Sequence, residues 1–201
     1  MSKPYAESCD QNREPILAVL REVLAGRAEV LEIGSGTGQH AVFFAAHLPQ
    51  VIWHTSDLPQ CHPGIRAWLD EARLPNVREP VALDVAQLPW PVASAPAIFS
   101  ANTAHIMSWH AVRRMFEGAG RVLEPDGVFC LYGPFAEGGR HTSPGNARFD
   151  AWLRARDPES GVRDLDALDR LALEHGLQRV ARYPMPTDNR IAVWRKPAAA
   201  S

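Results

Sequence analysis

The run Val30 to His40, VLEIGSGTGQH, limits what this chain can become more than any other stretch. Val30 to Ile33 is apolar apart from Glu32, which marks a short buried strand with one acid near its end. Glycines then fall at every second place, at Gly34, Gly36 and Gly38, and the helix-forming segment AVFFAAHL follows. Strand, glycine turn and helix predict the opening of a βαβ unit, and hence an α/β fold. Glycine suits such a turn because a ligand can approach main chain that carries no Cβ. Gln39 stands where the third glycine of a dinucleotide-binding GxGxxG would fall. No Gly-Lys-Ser/Thr ending follows, so the loop is not of the phosphate-binding kind. A nucleoside-type site is the reading; the alternative is a tight turn that binds nothing.

Further strands support that reading. Val51 to Ser56 forms strand 2 and runs into Asp57, nineteen places after Gly38. An acid at that strand tip and distance can accept from both hydroxyls of a ribose, because a carboxylate offers acceptors only. Its other reading is an N-cap. Cys61 to Arg73 is the second crossover helix, and Val77 to Leu83 is strand 3, leading into Asp84-Val85. Strand 4, Ala97 to Ala101, lies beside strand 1 at the switch point where open α/β sheets bind ligands. It delivers Asn102 and His105 there. Asn102 can bind cofactor or substrate through its amide. His105 can take a proton from a nucleophile, or it is a buried histidine bonded to backbone.

Upstream, Pro15 to Ala25 predicts a helix with proline in its first turn, and Asn12 and Arg13 sit just ahead of it. Arg13 can grip a carboxylate or other anion with a two-pronged hydrogen bond, or it is solvated. Downstream, Ala111 to Leu123 predicts a helix, and Glu124-Pro125-Asp126-Gly127 is a turn leading into strand 5, Val128 to Tyr132. A polar stretch after Gly133-Pro134-Phe135 reads as a long loop to Gly145, a lid over the strand ends. Helices at Asn146–Arg156 and Leu165–His175 follow, the second with Asp164 as N-cap and Gly176 as C-cap. Leu177–Tyr183 and Arg190–Arg195 close the chain as a hairpin.

At 201 residues and 46% hydrophobic, the chain suffices for one domain with a full core. A net charge of −2 gives no electrostatic argument for a nucleic-acid or membrane partner. The three cysteines are odd in number and widely spaced, which points to a reducing cytoplasm. His47, His54, Cys61 and His62 match no zinc spacing, so no metal is expected.

The GxGxG loop with an acid two places before it resembles that of the class I S-adenosylmethionine (SAM)-dependent methyltransferases. Residues from about Ala6 to Arg195 resemble one group within them more closely, the methyltransferase-like protein 26 family, long described as a domain of unknown function. The matching stretches are Asn12-Arg13, LEIGSGTGQHAVFFA, Leu83-Asp84-Val85 and Asn102 with His105-Ile106. They continue with Gly133-Pro134-Phe135, Asn146-Ala147, Phe149-Asp150, Arg163-Asp164, Met185-Pro186 and Asn189. Where relatives carry a longer apolar run before the histidine, this chain has Thr103-Ala104.

The resemblance implies a three-layer Rossmann-like fold whose seven-stranded, mostly parallel sheet ends in an antiparallel hairpin. It implies SAM as cofactor and a small-molecule methyl acceptor. Glu32 and the loop of Gly34, Ser35, Gly36, Thr37 and Gly38 would hold the methionine end. Asp57 would hold the ribose, and Asp84 the adenine amine, with Val85 or Leu58 on the ring. His105 would be the base and Asn102 would reach cofactor or substrate. Asn12, Arg13, Tyr132, Phe135 and Asn146 would face the acceptor. Two rivals remain: a SAM-binding protein without turnover, and a nicotinamide oxidoreductase, which Gln39 and the terminal hairpin disfavour.

Overall fold

The computed structural model describes residues 3–198. Helix α1 (Glu7–Val23) is followed by β1 (Glu29–Ile33), α2 (Gln39–His47), β2 (Ile52–Asp57), α3 (His62–Ala72), β3 (Val77–Ala82), β4 (Ala95–Ala101), α4 (Trp109–Val122) and β5 (Leu123–Glu137). Then come β6 (Arg140–His141), α5 (Pro144–Arg156), β7 (Arg163–Asp164), α6 (Leu165–Glu174), β8 (Gln178–Pro184) and β9 (Asn189–Arg195). The sheet runs β3-β2-β1-β4-β5-β9-β8, and the two-residue strands β6 and β7 attach to the far end of β5. Strands β1 to β5 pair in parallel, while β9 runs antiparallel to both β5 and β8. The seven-strand path and its closing hairpin are those expected from the sequence.

Alternation along each strand builds the three layers. Leu31, Ile98, Phe129 and Leu131 point to one face, against Val112 and Phe116 of α4 and Leu168 of α6. Val30, Phe99, Val128 and Cys130 point to the other, against Ile16 and Leu20 of α1 and Phe44 of α2.

Three expectations need correcting. First, α1 begins at Glu7, so Asn12 and Arg13 lie inside it and Pro15 is internal. An internal proline costs a helix about 3 kcal/mol. Ile16, Leu17, Leu20 and Leu24 are essentially buried. At roughly 2 kcal/mol each, their burial outweighs the proline.

Second, the segment read as a long loop is largely ordered secondary structure. Strand β5 continues to Glu137, turns through Gly138-Gly139 at φ +59° and +73°, and returns as β6. Gly-Gly between two strands is a hairpin signal in its own right. Helix α5 then starts at Pro144, capped by the Ser143 hydroxyl, which accepts from Asn146 N.

Third, the Pro125-Asp126-Gly127 turn lies within β5 rather than before it. Leu123 pairs with Ala95 and Val128 with Ala97, a bulge between them, with Asp126 at φ +62°. At α6 the expected cap holds: the Asp164 carboxylate accepts from Asp166 N and Ala167 N.

Candidate functional site

The C-terminal ends of β1, β2 and β4 converge around the glycine loop. Gly34 sits at φ +71°, and a Cβ there would lie 2.7 Å from the Thr103 methyl group. Any larger residue would collide with the β4–α4 loop. A Cβ on Gly36, by contrast, would meet no heavy atom closer than 4.0 Å, so this main chain lies open to a ligand. Hydroxyls brace the loop from below. Ser35 Oγ donates to Glu32 Oε2 (2.7 Å), Ser56 Oγ donates to Glu32 O (2.6 Å), and Ser100 Oγ bonds Thr103 Oγ1 (2.6 Å). Thr37 Oγ1 donates to Gln39 Oε1, which also accepts from Ala6 N and so ties α1 to the loop.

A cleft of about 460 Å³ opens above this floor. Gly34, Gly36, Asp57, Leu58, Asp84 and Val85 contribute to its wall. The Asp57 carboxylate accepts from Gly36 N (2.8 Å) and Leu58 N (2.7 Å), one bond to each oxygen. It keeps lone pairs for further donors, with the Cys61 thiol beside it. Asp84 Oδ1 accepts from Ala86 N within a turn and still faces the cleft. Glu32 lies beneath the loop and outside the wall. It is fully buried and also accepts from Trp53 Nε1, and burial pushes its carboxyl up to about 7.

A second cleft, of about 590 Å³, adjoins the first. The two share Asn102, which sits at φ +58° at the end of β4. His105, Tyr132, Asn12 and Asn146 line the second cleft. His105 is buried, its ring edge-on to Phe149. Burial, helped by the Arg163 cation, pulls its pKa down to about 4, so the imidazole is neutral around pH 7. Among the described residues its ring nitrogens have no hydrogen-bond partner. Arg163 itself clamps the β4–α4 loop by donating to Ala104 O, Met107 O and Glu159 O.

Two acceptor-side candidates lie elsewhere. Arg13 pairs with Asp10 and stacks over Phe43, outside both linings. Phe135 is packed in the core. The histidines once weighed as ligands have their own partners: His54 Nε2 bonds Glu29, and His62 Nε2 donates to Asp57 O.

Other members of the site were not among the candidates. Gln11, Asp188 and Asn189 join the second cleft from α1 and from the β8–β9 turn. His40 Nε2 bonds Asn12 Oδ1 at 2.7 Å, an α2–α1 link that no sequence pattern announces. Asn189 was visible as a hairpin-turn residue, but only sheet order shows that the turn folds over Tyr132.

The chain is similar in fold to three solved structures, among others. One is the S-adenosylmethionine-dependent methyltransferase SibL in its apo form, at TM-score 0.81 and 22% identity, covering 94% of this chain and 56% of that one. A second is human N-acetylserotonin methyltransferase in complex with SAM, at TM-score 0.81 and 14% identity, covering 96% and 53%. A third is the YcgJ protein from Bacillus subtilis, at TM-score 0.72 and 19% identity, covering 93% and 100%. The chain thus spans about half the length of the first two and all of the third. It shares their Rossmann-like fold. Residues 3–196 match the family described as "Protein of unknown function (DUF938)", and the chain belongs to that family.

Proposed function

We propose that this member of the family is a SAM-dependent methyltransferase acting on a small molecule, a relative of the methyltransferase-like protein 26 proteins. One observation carries the reading: two clefts meet at Asn102, beside the β1/β4 switch point, one floored by bare glycine main chain and the other walled by polar side chains. The SibL and human structures of the same fold are both of SAM-dependent or SAM-bound methyltransferases, which supports the same assignment.

The residues of the first cleft suit the cofactor. The open Gly36 main chain admits its close approach, the free lone pairs of Asp57 match two ribose hydroxyls, and Asp84 can accept from an adenine amine, with Leu58 and Val85 as apolar walls. When bound, the sulfonium supplies an electrophilic methyl group. The chain's own task is then alignment and exclusion of water. Asn102 bridges the two clefts and orients whatever lies between them. Neutral His105 accepts a hydrogen bond from the nucleophile, but with a pKa of about 4 it has little power to remove its proton. That weakness favours an acceptor already neutral and nucleophilic. It also keeps alive a second reading, a SAM-binding protein without turnover.

Calorimetry with SAM, followed by a search for S-adenosylhomocysteine after incubation with a small-molecule extract, separates these outcomes. Binding and product together support the enzyme, and binding without product from any fraction supports the second reading. Failure to bind at millimolar SAM overturns both. The three free thiols are in keeping with a reducing compartment.

A further inference from the structure

The second cleft gathers five carboxamides, from Gln11, Asn12, Asn102, Asn146 and Asn189. Its lining includes no lysine or arginine, and its single carboxylate, Asp188, is exposed at the rim. The hydrogen bonds behind this wall decide which atoms remain to greet a ligand. Asn12 Oδ1 can only accept, so His40 Nε2 donates to it, and the Asn12 amide N–H is left to face the Tyr132 hydroxyl. Asn189 Nδ2 donates to the same hydroxyl at 3.0 Å. The Tyr132 oxygen thus accepts from Asn189 and lies beside the Asn12 amide, while among the described residues its own proton has no acceptor and is free to be given to a ligand.

Asn146 shows the opposite polarity. Its Nδ2 donates to Thr142 Oγ1 (2.9 Å) and to Asp188 O (3.2 Å), which leaves Oδ1 as an acceptor. The two hydrogens of Asn189 Nδ2 are likewise taken up, shared among the Tyr132 hydroxyl, Pro186 O and Thr187 Oγ1, and its Oδ1 too can only accept. The wall therefore offers a donor at Tyr132, acceptors at Asn146 and Asn189, and no cation.

We infer that this cleft recognises its small-molecule ligand through an uncharged carboxamide or lactam group and rejects the matching carboxylate, with Tyr132 as the specificity-determining donor. A carboxamide gives its carbonyl oxygen to Tyr132 and its N–H groups to the carbonyls of Asn146 and Asn189. A carboxylate in the same place brings a charge that no cation compensates, and sets its oxygens against those two carbonyls. The inference concerns the recognition group, not the atom that is methylated, and it rests on the proposed reading of this cleft as the acceptor side.

The test uses pairs of equal shape, nicotinamide against nicotinate and benzamide against benzoate, with benzylamine as a cation. Each is titrated by ligand-observed NMR against the full chain, with and without S-adenosylhomocysteine. The expected result is that each amide binds at least about tenfold more tightly than its acid. Tyr132→Phe is expected to abolish that preference and to leave S-adenosylhomocysteine affinity within about twofold of wild type. Equal or tighter binding of an acid or of benzylamine overturns the inference. So does a preference that survives Tyr132→Phe, or the lack of saturable binding by both amides at millimolar concentration. Calorimetry with S-adenosylhomocysteine is read separately. Silence there with the amide preference intact sinks the cofactor assignment alone.

Discussion

Lowering the pH should destabilise this protein with a slope that one buried carboxyl halves. His40 and His105 are both held down to about 4 from 6.5, chiefly by burial. Between those values the unfolded chain binds two protons that the native state refuses, so stability falls as pH drops from 6.5 to 4. Glu32 works in the other direction. Its carboxyl is raised from 4.5 to about 7, again by burial, so between these values the native state holds a proton that the unfolded chain has lost. That contribution diminishes as pH rises through the window.

Between pH 6.5 and 4.5 the unfolded chain therefore holds two protons at these sites against one for the native state. The net of one proton is worth about 1.4 kcal/mol per pH unit, or about 3 kcal/mol over the window. Glu32→Gln removes the opposing proton, and the slope should double to about 2.7 kcal/mol per unit. Against a total stability of about 5–15 kcal/mol, that difference is easily read. Urea unfolding followed by tryptophan fluorescence at half-unit steps from pH 4.5 to 8 measures it, and comparing variants cancels the other carboxylates. Equal slopes for wild type and Glu32→Gln would refute the assignment of a protonated, buried Glu32.

Four further outcomes are expected. Asp57→Ala should weaken SAM binding by on the order of 1–3 kcal/mol, the loss of charged hydrogen bonds, and an unchanged dissociation constant by calorimetry would remove Asp57 from the site. Turnover, once an acceptor is known, should show no His105 ionisation between about pH 5.5 and 8, because the imidazole is already neutral there; a limb near 6.5 that His105→Ala abolishes would contradict this. His105→Ala itself should lower turnover more than SAM affinity, and the reverse pattern would make it a cofactor residue. Gly34→Ala should destabilise by about 1–3 kcal/mol, since its Cβ meets the Thr103 methyl at 2.7 Å at a backbone angle of φ +71°; a thermal midpoint equal to wild type would show that the β4–α4 loop yields freely.

Element types and order were legible where periodicity is local and strong. Val30–Ile33, the glycine loop and AVFFAAH set out β1, loop and α2 because burial on both faces and a bare turn leave plain marks. The hairpin of β8 and β9 was equally plain from its Pro/Asn/Asp turn. The start of α1 was obscured by Pro15, whose local cost is overridden by packing on α2 that no window around residue 15 contains. The β5–β6 hairpin was hidden within a polar run in which Gly138-Gly139 were the only guide.

The amino-acid sequence by itself determined the layered α/β fold, the open main chain at Gly36 and the acid at the tip of β2, because each follows from residues close together in the chain. Only the tertiary structure decided the second cleft. Asn12, Tyr132, Asn146 and Asn189 come from α1, β5, α5 and β9, and single polar residues so far apart have no period that could link them. It is the placement of β9 beside β5, and of α1 against α2, that folds their side chains onto one wall. The donor at Tyr132 and the acceptors at Asn146 and Asn189 are properties of that wall, fixed by which partner each amide has already engaged.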